Sequence, residues 1–335
     1  MRKRPTRKSP SRQAPKLAPQ LARLIAQLDT LEETSADDAT LRLSATATLH
    51  VSNLKKILFP DVGVTKADVM RYYVRVSPAL LPILKDRPLS LKRYPNGVGG
   101  EFFFQQKAPP NPPPAVRVET VVNDVGEQQE RLVGDSIATL LYCTQLGAFE
   151  MNPWNVKVSS FDTADFSVID LDPGPKAPFS RVVEVAGWVK EALDARGLYG
   201  AVKTSGATGI HIFVPLPPRS TEQTATLVAE LIANTVVNAH PKETTIERSI
   251  KERGGTKVYV DYGQNARGKT VACAYSIRAH KGAPVSTPLN WDELTESLHP
   301  LDFTIQTLPE RLAKIGDIWG PAMRRRNSVR SVTKT

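Results

Sequence analysis

The segment Phe166-Ser-Val-Ile-Asp-Leu-Asp-Pro-Gly174 constrains this chain more than any other. It is an apolar run that carries two acids one residue apart and then breaks on proline and glycine. Side chains alternate faces along an extended strand, so Asp170 and Asp172 must share a face at the strand's end. Two carboxylates held together need a cation, and oxygen ligands of this kind suit magnesium or manganese. A third carboxylate on a neighbouring strand would let two ions share the site. Asp261, at the end of the apolar run in Lys257-Val-Tyr-Val-Asp-Tyr262, is the best candidate. Such a site can activate an attacking oxygen and stabilise a leaving pyrophosphate. Taken alone, Asp-Leu-Asp-Pro-Gly is an equally good strand-to-turn sequence.

The segments around it alternate between the two periods. Ser180–Arg196 reads as an amphipathic helix closed by Gly197, and strands are expected at 201–204 and 210–215. A helix capped by Ser220 with Gln223 in the capping-box position follows, then strands at 258–262 and 271–277. Upstream, Thr65 caps a helix ending at Pro82, with Asp68 in its first turn. Strands at 89–94 and 101–106 flank a Pro-Asn-Gly-Val-Gly-Gly turn and form a hairpin; the helix 135–146 stops at Gly147. Leu17–Glu33 reads as an isolated helix and the folded body as starting near Leu41. With no internal repeat, the expectation is a mixed α+β body in one continuous domain.

Charge is concentrated at the ends. Residues 1–20 hold seven Lys/Arg and residues 321–335 hold five, with no acid in either, out of a formal net charge of +10. The rest of the chain therefore carries a small net negative charge, and any specific anion site must come from locally grouped cations. No apolar run approaches a membrane span and no signal peptide is recognisable, so a cytosolic setting is expected. Cys143 and Cys273 sit apart in apolar surroundings and read as reduced packing residues rather than a disulfide or zinc site.

Two further segments bear on chemistry. Lys203-Thr-Ser-Gly-Ala-Thr-Gly-Ile-His211 places glycines and hydroxyls in a tight turn whose backbone N–H groups could cradle phosphate, with His211 on the strand beyond. No Gly-Lys-Ser/Thr follows, so this is not a Walker loop. After Asp261 come Gln264 and Asn265, then Arg267, Lys269 and Arg278, cations placed to neutralise nucleotide phosphates. Singly, Arg267 and Lys269 read better as solvated surface cations.

The order Asp-x-Asp-Pro, Ser-Gly-x-x-Gly-x-His, apolar-Asp-Tyr with Gln-Asn, and Tyr-Ser-x-Arg resembles the polymerase domain of bacterial ATP-dependent DNA ligase D, in the archaeo-eukaryotic primase-polymerase superfamily. The resemblance runs from about Leu49 to Trp319. It implies an α+β primase-polymerase core with mixed or antiparallel sheets flanked by helices, over residues 41–320, between a basic arm at 1–40 and a basic tail at 321–335. It implies that Asp170, Asp172 and Asp261 hold two divalent cations, manganese preferred and magnesium possible. Ser205, His211 and Arg278, with Lys203 and Gln264, would bind the incoming NTP or dNTP. Asn53, Lys56 and Lys66 would form a pocket for the 5′-phosphate beyond a gap or break, and Phe103 and Phe104 would stack on the template. Read from their chemistry alone, the first three could be ordinary surface polar groups and the two aromatics strand core.

The chain departs from the family pattern at Gln106, in Phe104-Gln-Gln-Lys107, at Asn152 where a histidine is expected, and at Thr208 where some relatives have lysine. No Lys-x-Asp-Gly ligase motif is present, so a stand-alone polymerase or an excised domain is expected, and Met1 with its own basic arm favours the former. The implied activity is nucleotide addition to a 3′-OH in gap filling or end joining, at the bacterial nucleoid, with an ATP-dependent DNA ligase and an end-binding protein as partners. Primer synthesis, or bridging of DNA ends without catalysis, are the alternatives.

Overall fold

The computed structural model describes residues 17–122, 125–266 and 268–329. The first sixteen residues of the expected arm, the last six of the expected tail, and Arg267 lie outside the described residues. Asp170 and Asp172 lie on strand Phe166–Pro173, inside a six-stranded sheet. Its order is Thr244–Thr245, Val258–Asp261, Phe166–Pro173, Ile210–Pro215, Ala201–Thr204, Pro288–Leu289. Every neighbouring pair is antiparallel except the first.

Alternation gives this sheet two unlike faces. Ile169, Leu171, Val202, Ile210, Ile212, Val258 and Val260 pack into a core with helices Phe179–Asp194 and Glu222–Ala239. The opposite face sends Val168, Ala201 and Phe213 into a second core built around helix Lys66–Leu84. Between that core and the open end of the sheet lie the ionisable residues. A second sheet, in the order Phe103–Gln105, Arg87–Arg93, Gln128–Gly134, Val118–Val122, stands beside it, with Asn152–Pro153 also paired to Arg87–Arg93. The fold class is α+β, as expected.

Several local expectations change. Helix Pro19–Glu33 is not isolated: Leu24 and Leu28 are fully buried, and Arg71 of the long helix meets Asp29 at 2.8 Å, Asp68 at 2.7 Å, and Glu32. The packed body therefore begins before Leu41. Helix Lys66–Leu84 has the capping box of Thr65 and Asp68 but runs through Pro78 and Pro82. Each proline removes one backbone donor, and buried Ala79, Leu80 and Leu84 hold the last turns in place. Thr221, not Ser220, caps helix Glu222–Ala239.

Val271–Ile277 forms no strand. Tyr275 has φ +69°, and its N–H donates to Ser286 O across an irregular connection. Residues 271–277 are buried throughout, so their apolar run reflects burial on all sides rather than a pleat. Residues 321–329 are not a loose tail: Trp319 is buried, and the Asn327 amide bonds the backbone of Tyr199 and Pro215. The hairpin of Val118–Val122 and Gln128–Gly134 went unexpected because its outer positions are polar and its pattern weak.

Candidate active site

Register places four ionisable residues in one row across four adjacent strands: Asp261 opposite Asp170, Asp170 opposite His211, and His211 opposite Lys203. Cross-strand partners share a face, and Asp172 lies on that face two residues beyond Asp170. Asp170 is buried, and its Oδ1 has no hydrogen-bond donor directed at it; His211 Nε2 stands 3.2 Å away. Burial first, then the charge of Asp261, pushes Asp170 up to about 7. Burial, then Asp170 and Asp261, does the same to Asp172, also to about 7.

Asp261 is held differently. Its Oδ1 accepts from Tyr259 OH at 3.1 Å and Gly263 N at 2.7 Å, and its Oδ2 accepts from Gln264 Nε2 at 2.8 Å. The Gln264 side chain, expected at the nucleotide, is thus engaged through its Nε2 with the Asp261 carboxylate. Asn265 was noted only as part of the Gln-Asn pair, and its role was missed. Its amide takes both Val168 N–H, at 2.7 Å, and Val168 C=O, at 2.8 Å, below the point where the Asp261 strand stops pairing. That anchors the turn behind Asp261.

Among the described residues no three His, Cys, Asp or Glu side chains stand close enough to form a ready-made metal cage. The donor set nevertheless fits divalent cations. The orphaned Asp170 oxygen and two carboxyls pushed up by burial and then by neighbouring acids are what a hard cation would relieve. Asp170, Asp172 and Asp261 would hold it, the last through lone pairs its three donors leave.

The Ser205–Gly209 turn sits over this end of the sheet. A Cβ at Gly209 would lie 2.5 Å from Leu171 O and 3.4 Å from Asp172 Oδ1. The Ala207 and Gly209 N–H groups donate to Ser205 Oγ at 3.1 and 3.0 Å, so the turn is closed by its own serine and those two amides do not cradle phosphate. Arg278 stands beside the turn, with Nη1 3.0 Å from Ser205 O and Nε 3.2 Å from Glu150 Oε1. Gly209→Ala is expected to push the turn off the acids and lower the turnover of this site about tenfold or more, with the fold unchanged; steady-state kinetics beside circular dichroism checks this.

The sequence reading gives Glu150 no role. It is buried, accepts from Arg278 and from Ala279 N at 2.8 Å, and lies 3.9 Å from Lys92 Nζ. Its only signal was an acid inside an otherwise apolar stretch. Lys203, expected to touch nucleotide, is fully buried behind His211 and cannot.

A separate cavity of about 170 Å³ is lined by Asn53, Lys56 and Lys66 together with Arg93 and Gln145. Lys66 is buried at the start of its helix and donates to Ser52 O at 2.9 Å. Burial and the charge of Lys56 lower its pKa, so an anion entering the cavity would relieve both. Arg93 links this cavity to the aromatic strand: its Nε donates to Leu146 O at 2.8 Å and its guanidinium lies 5.2 Å from the Phe103 ring. Phe103 and Phe104 are exposed at 45% and 64%, and Phe102, which drew no notice in the sequence, at 50%. They are not strand core. Lys92 lies over the Phe102 ring at 4.2 Å.

Residues 65–319 match the model of the LigD primase-polymerase domain. The chain belongs to that family. It is 38% identical over 270 residues to the bifunctional non-homologous end joining protein LigD of Bacillus subtilis, covering 80% of this chain and 43% of that protein. It is 32% identical over 278 residues to the multifunctional LigD of Pseudomonas aeruginosa, covering 82% of this chain and 33% of that one. The chain thus spans less than half the length of these relatives. The polymerase domain of Mycobacterium tuberculosis ligase D, solved in complex with DNA, superposes with a TM-score of 0.75 at 30% identity, covering 82% of this chain and 98% of that one.

Against the LigD pattern, the three departures have different settings. Gln106 is exposed, and its Oε1 accepts from Arg131 Nη1 at 2.5 Å and from Ser90 Oγ at 3.3 Å. Asn152 sits on a strand edge, donating to Glu150 O at 3.3 Å. Thr208 is exposed at the tip of the Ser205 turn. No helix among the described residues is long and apolar enough to cross a membrane.

Proposed function

We propose that this chain adds NTPs or dNTPs to a DNA 3′-OH at short gaps and breaks bearing a downstream 5′-phosphate. The observation that carries this reading is the orphaned, buried Asp170 oxygen within a row of acids that faces Arg278 and the Ser205 turn. Asp170, Asp172 and Asp261 hold two divalent cations, manganese in preference to magnesium. When bound, these supply activation of the 3′-OH and neutralisation of the pyrophosphate charge. Arg278, the Ser205 hydroxyl and the His211 Nε2 edge bind the triphosphate, and Glu150 fixes the Arg278 guanidinium so that its remaining N–H donors point outward. Lys56, Lys66 and Asn53 take the 5′-phosphate dianion, and Phe103 and Phe104 stack on template bases. The partners in this reading are gapped or broken DNA, an ATP-dependent DNA ligase that seals the product and an end-binding protein, at the bacterial nucleoid in the cytoplasm.

The test is primer extension across a short gap, with and without the 5′-phosphate, supplying NTPs or dNTPs with manganese or magnesium. The phosphate should stimulate addition about tenfold or more, as loss of charge-assisted contacts predicts. Lys56→Ala combined with Lys66→Met should remove that stimulation while addition to an open primer end persists. Phosphate-dependent binding with no addition under any condition would sink the polymerase reading in favour of an end-bridging protein.

A further inference from the structure

A cavity of about 250 Å³ has no task in the proposed chemistry. Its floor is Phe166 and Phe213, which lie on the sheet face that carries Asp170 and His211 but further back along the same two strands. None of Asp170, Asp172, Asp261, His211 or Lys203 lines it. Lys203, bonded to His211, reaches only to 5.7 Å from the Phe213 ring centre, so the cavity is a space separate from the acid row. Three rings shape its apolar part. Phe166 meets Phe213 at 4.9 Å and 54°, and Phe213 meets Trp319 at 5.0 Å and 79°, an angled set that leaves room for a further flat ring.

The polar part is cationic. Arg87, Lys157, Arg324 and Arg326 line the cavity against one acid, Asp165. The first two are already committed: both pair with Asp165, Lys157 at 2.9 Å, and Arg87 Nη1 also donates to Asn155 O at 2.6 Å. Arg324 and Arg326 are exposed, and neither has an acid paired with it among the described residues. Arg326 Nη1 donates only to the backbone, to Met323 O at 3.1 Å and Arg325 O at 3.2 Å. Both arginines follow the matched family span, which ends at Trp319, so the charged mouth belongs to this chain's own continuation. A void left by poor packing would cost stability and would have no reason to gather unpaired cations at its opening.

We propose that this cavity binds a small aromatic anion, its ring seated against Phe166, Phe213 and Trp319 and its charged group held at the mouth by Arg324 and Arg326. An aryl carboxylate, sulfonate or phosphate has that chemistry: a flat apolar body that gains by leaving water, and one head that accepts charge-assisted hydrogen bonds from guanidinium. The inference does not depend on the polymerase reading, because binding needs no turnover.

Titration of the intact chain with naphthalene-1-sulfonate, followed by calorimetry and by the indole N–H signals in NMR, tests it. One sulfonate should bind per chain with a Kd of about 100 μM or tighter, and the Trp319 signal should move. Arg324→Gln combined with Arg326→Gln changes two exposed side chains and should weaken the sulfonate about tenfold or more, while uncharged 2-naphthol binds both chains alike. Ala79→Leu, which extends a side chain into the cavity from helix Lys66–Leu84, should abolish binding of both compounds. No saturable binding to the wild-type chain at about 1 mM overturns the proposal. So does sulfonate binding that ignores the arginine pair or leaves the Trp319 signal in place, and neither result requires the Ala79 variant to fold.

Discussion

Asp170→Asn should lose nucleotide addition by at least about three orders of magnitude and yet, with no divalent ion present, melt at a higher temperature than the wild-type chain. The two effects share one cause. Burial and Asp261 push the Asp170 carboxyl from its ordinary 3.8 up to about 7, so the folded chain binds that proton more tightly than the unfolded chain does. Stability from such a group is fully present below the unfolded value and is lost as pH rises through the folded one. At pH 8 the wild-type chain therefore carries an ionised, buried carboxylate beside a second acid, at a cost on the order of 4 kcal/mol. Asparagine keeps the shape and removes the charge. For a chain of this size the gain should appear as a few degrees in Tm, largest above about pH 7 and shrinking as pH falls towards 4. Adding manganese should reverse the order, because it stabilises only the chain that binds it. Scanning calorimetry at two pH values, with and without manganese, gives all four numbers. If the variant is less stable than wild type in chelator at pH 8, the repulsion assigned to these acids is not there.

That trade between stability and chemistry explains why part of the site could be read directly from the chain. Asp170 and Asp172 are two apart on an apolar strand, and period two fixes their common face without reference to any distant contact. The same holds for His211 and Phe213, and for Tyr259 and Asp261. Which strand lies beside which is a long-range fact, however, and the row Asp261, Asp170, His211, Lys203 exists only through that register. Lys203 and Gln264 were therefore grouped with the phosphate ligands on chemistry that suited them, whereas the fold turns one inward to His211 and the other onto Asp261. In Ser205 the two roles divide within one group: its oxygen accepts from Ala207 and Gly209 and closes its own turn, and only its hydroxyl proton is left for a phosphate. Helix Pro19–Glu33 was set apart because a polar, basic neighbourhood hid how few apolar residues are needed to seat it, namely Leu24 and Leu28 with Arg71 across from Asp29. Val271–Ile277 shows the opposite failure, where unbroken apolar sequence recorded burial and said nothing of backbone shape.

The affinity of the acid row for manganese should fall about a hundredfold between pH 8 and pH 6. Asp170 and Asp172 each stand at about 7 in the metal-free chain, raised first by burial and then by neighbouring carboxylates. A metal ligand must be deprotonated, so below that value each carboxyl charges the ion for one displaced proton. Over these two pH units a single group with such a pKa changes the ionised fraction about tenfold, and two groups multiply. His211 adds nothing to the slope, because burial and Lys203 keep it unprotonated throughout. Calorimetric titration with manganese in buffers of different ionisation enthalpy reads both the affinity and the protons released. At pH 6 the release should approach two protons for wild type and one for Asp172→Asn. The rate of nucleotide addition at limiting manganese should carry the same acid limb, and saturating manganese should shift that limb to lower pH. An affinity that stays level from pH 8 to pH 6 would mean that both carboxyls are already ionised in the free protein. Their mutual repulsion would then be relieved by something other than the bound ion.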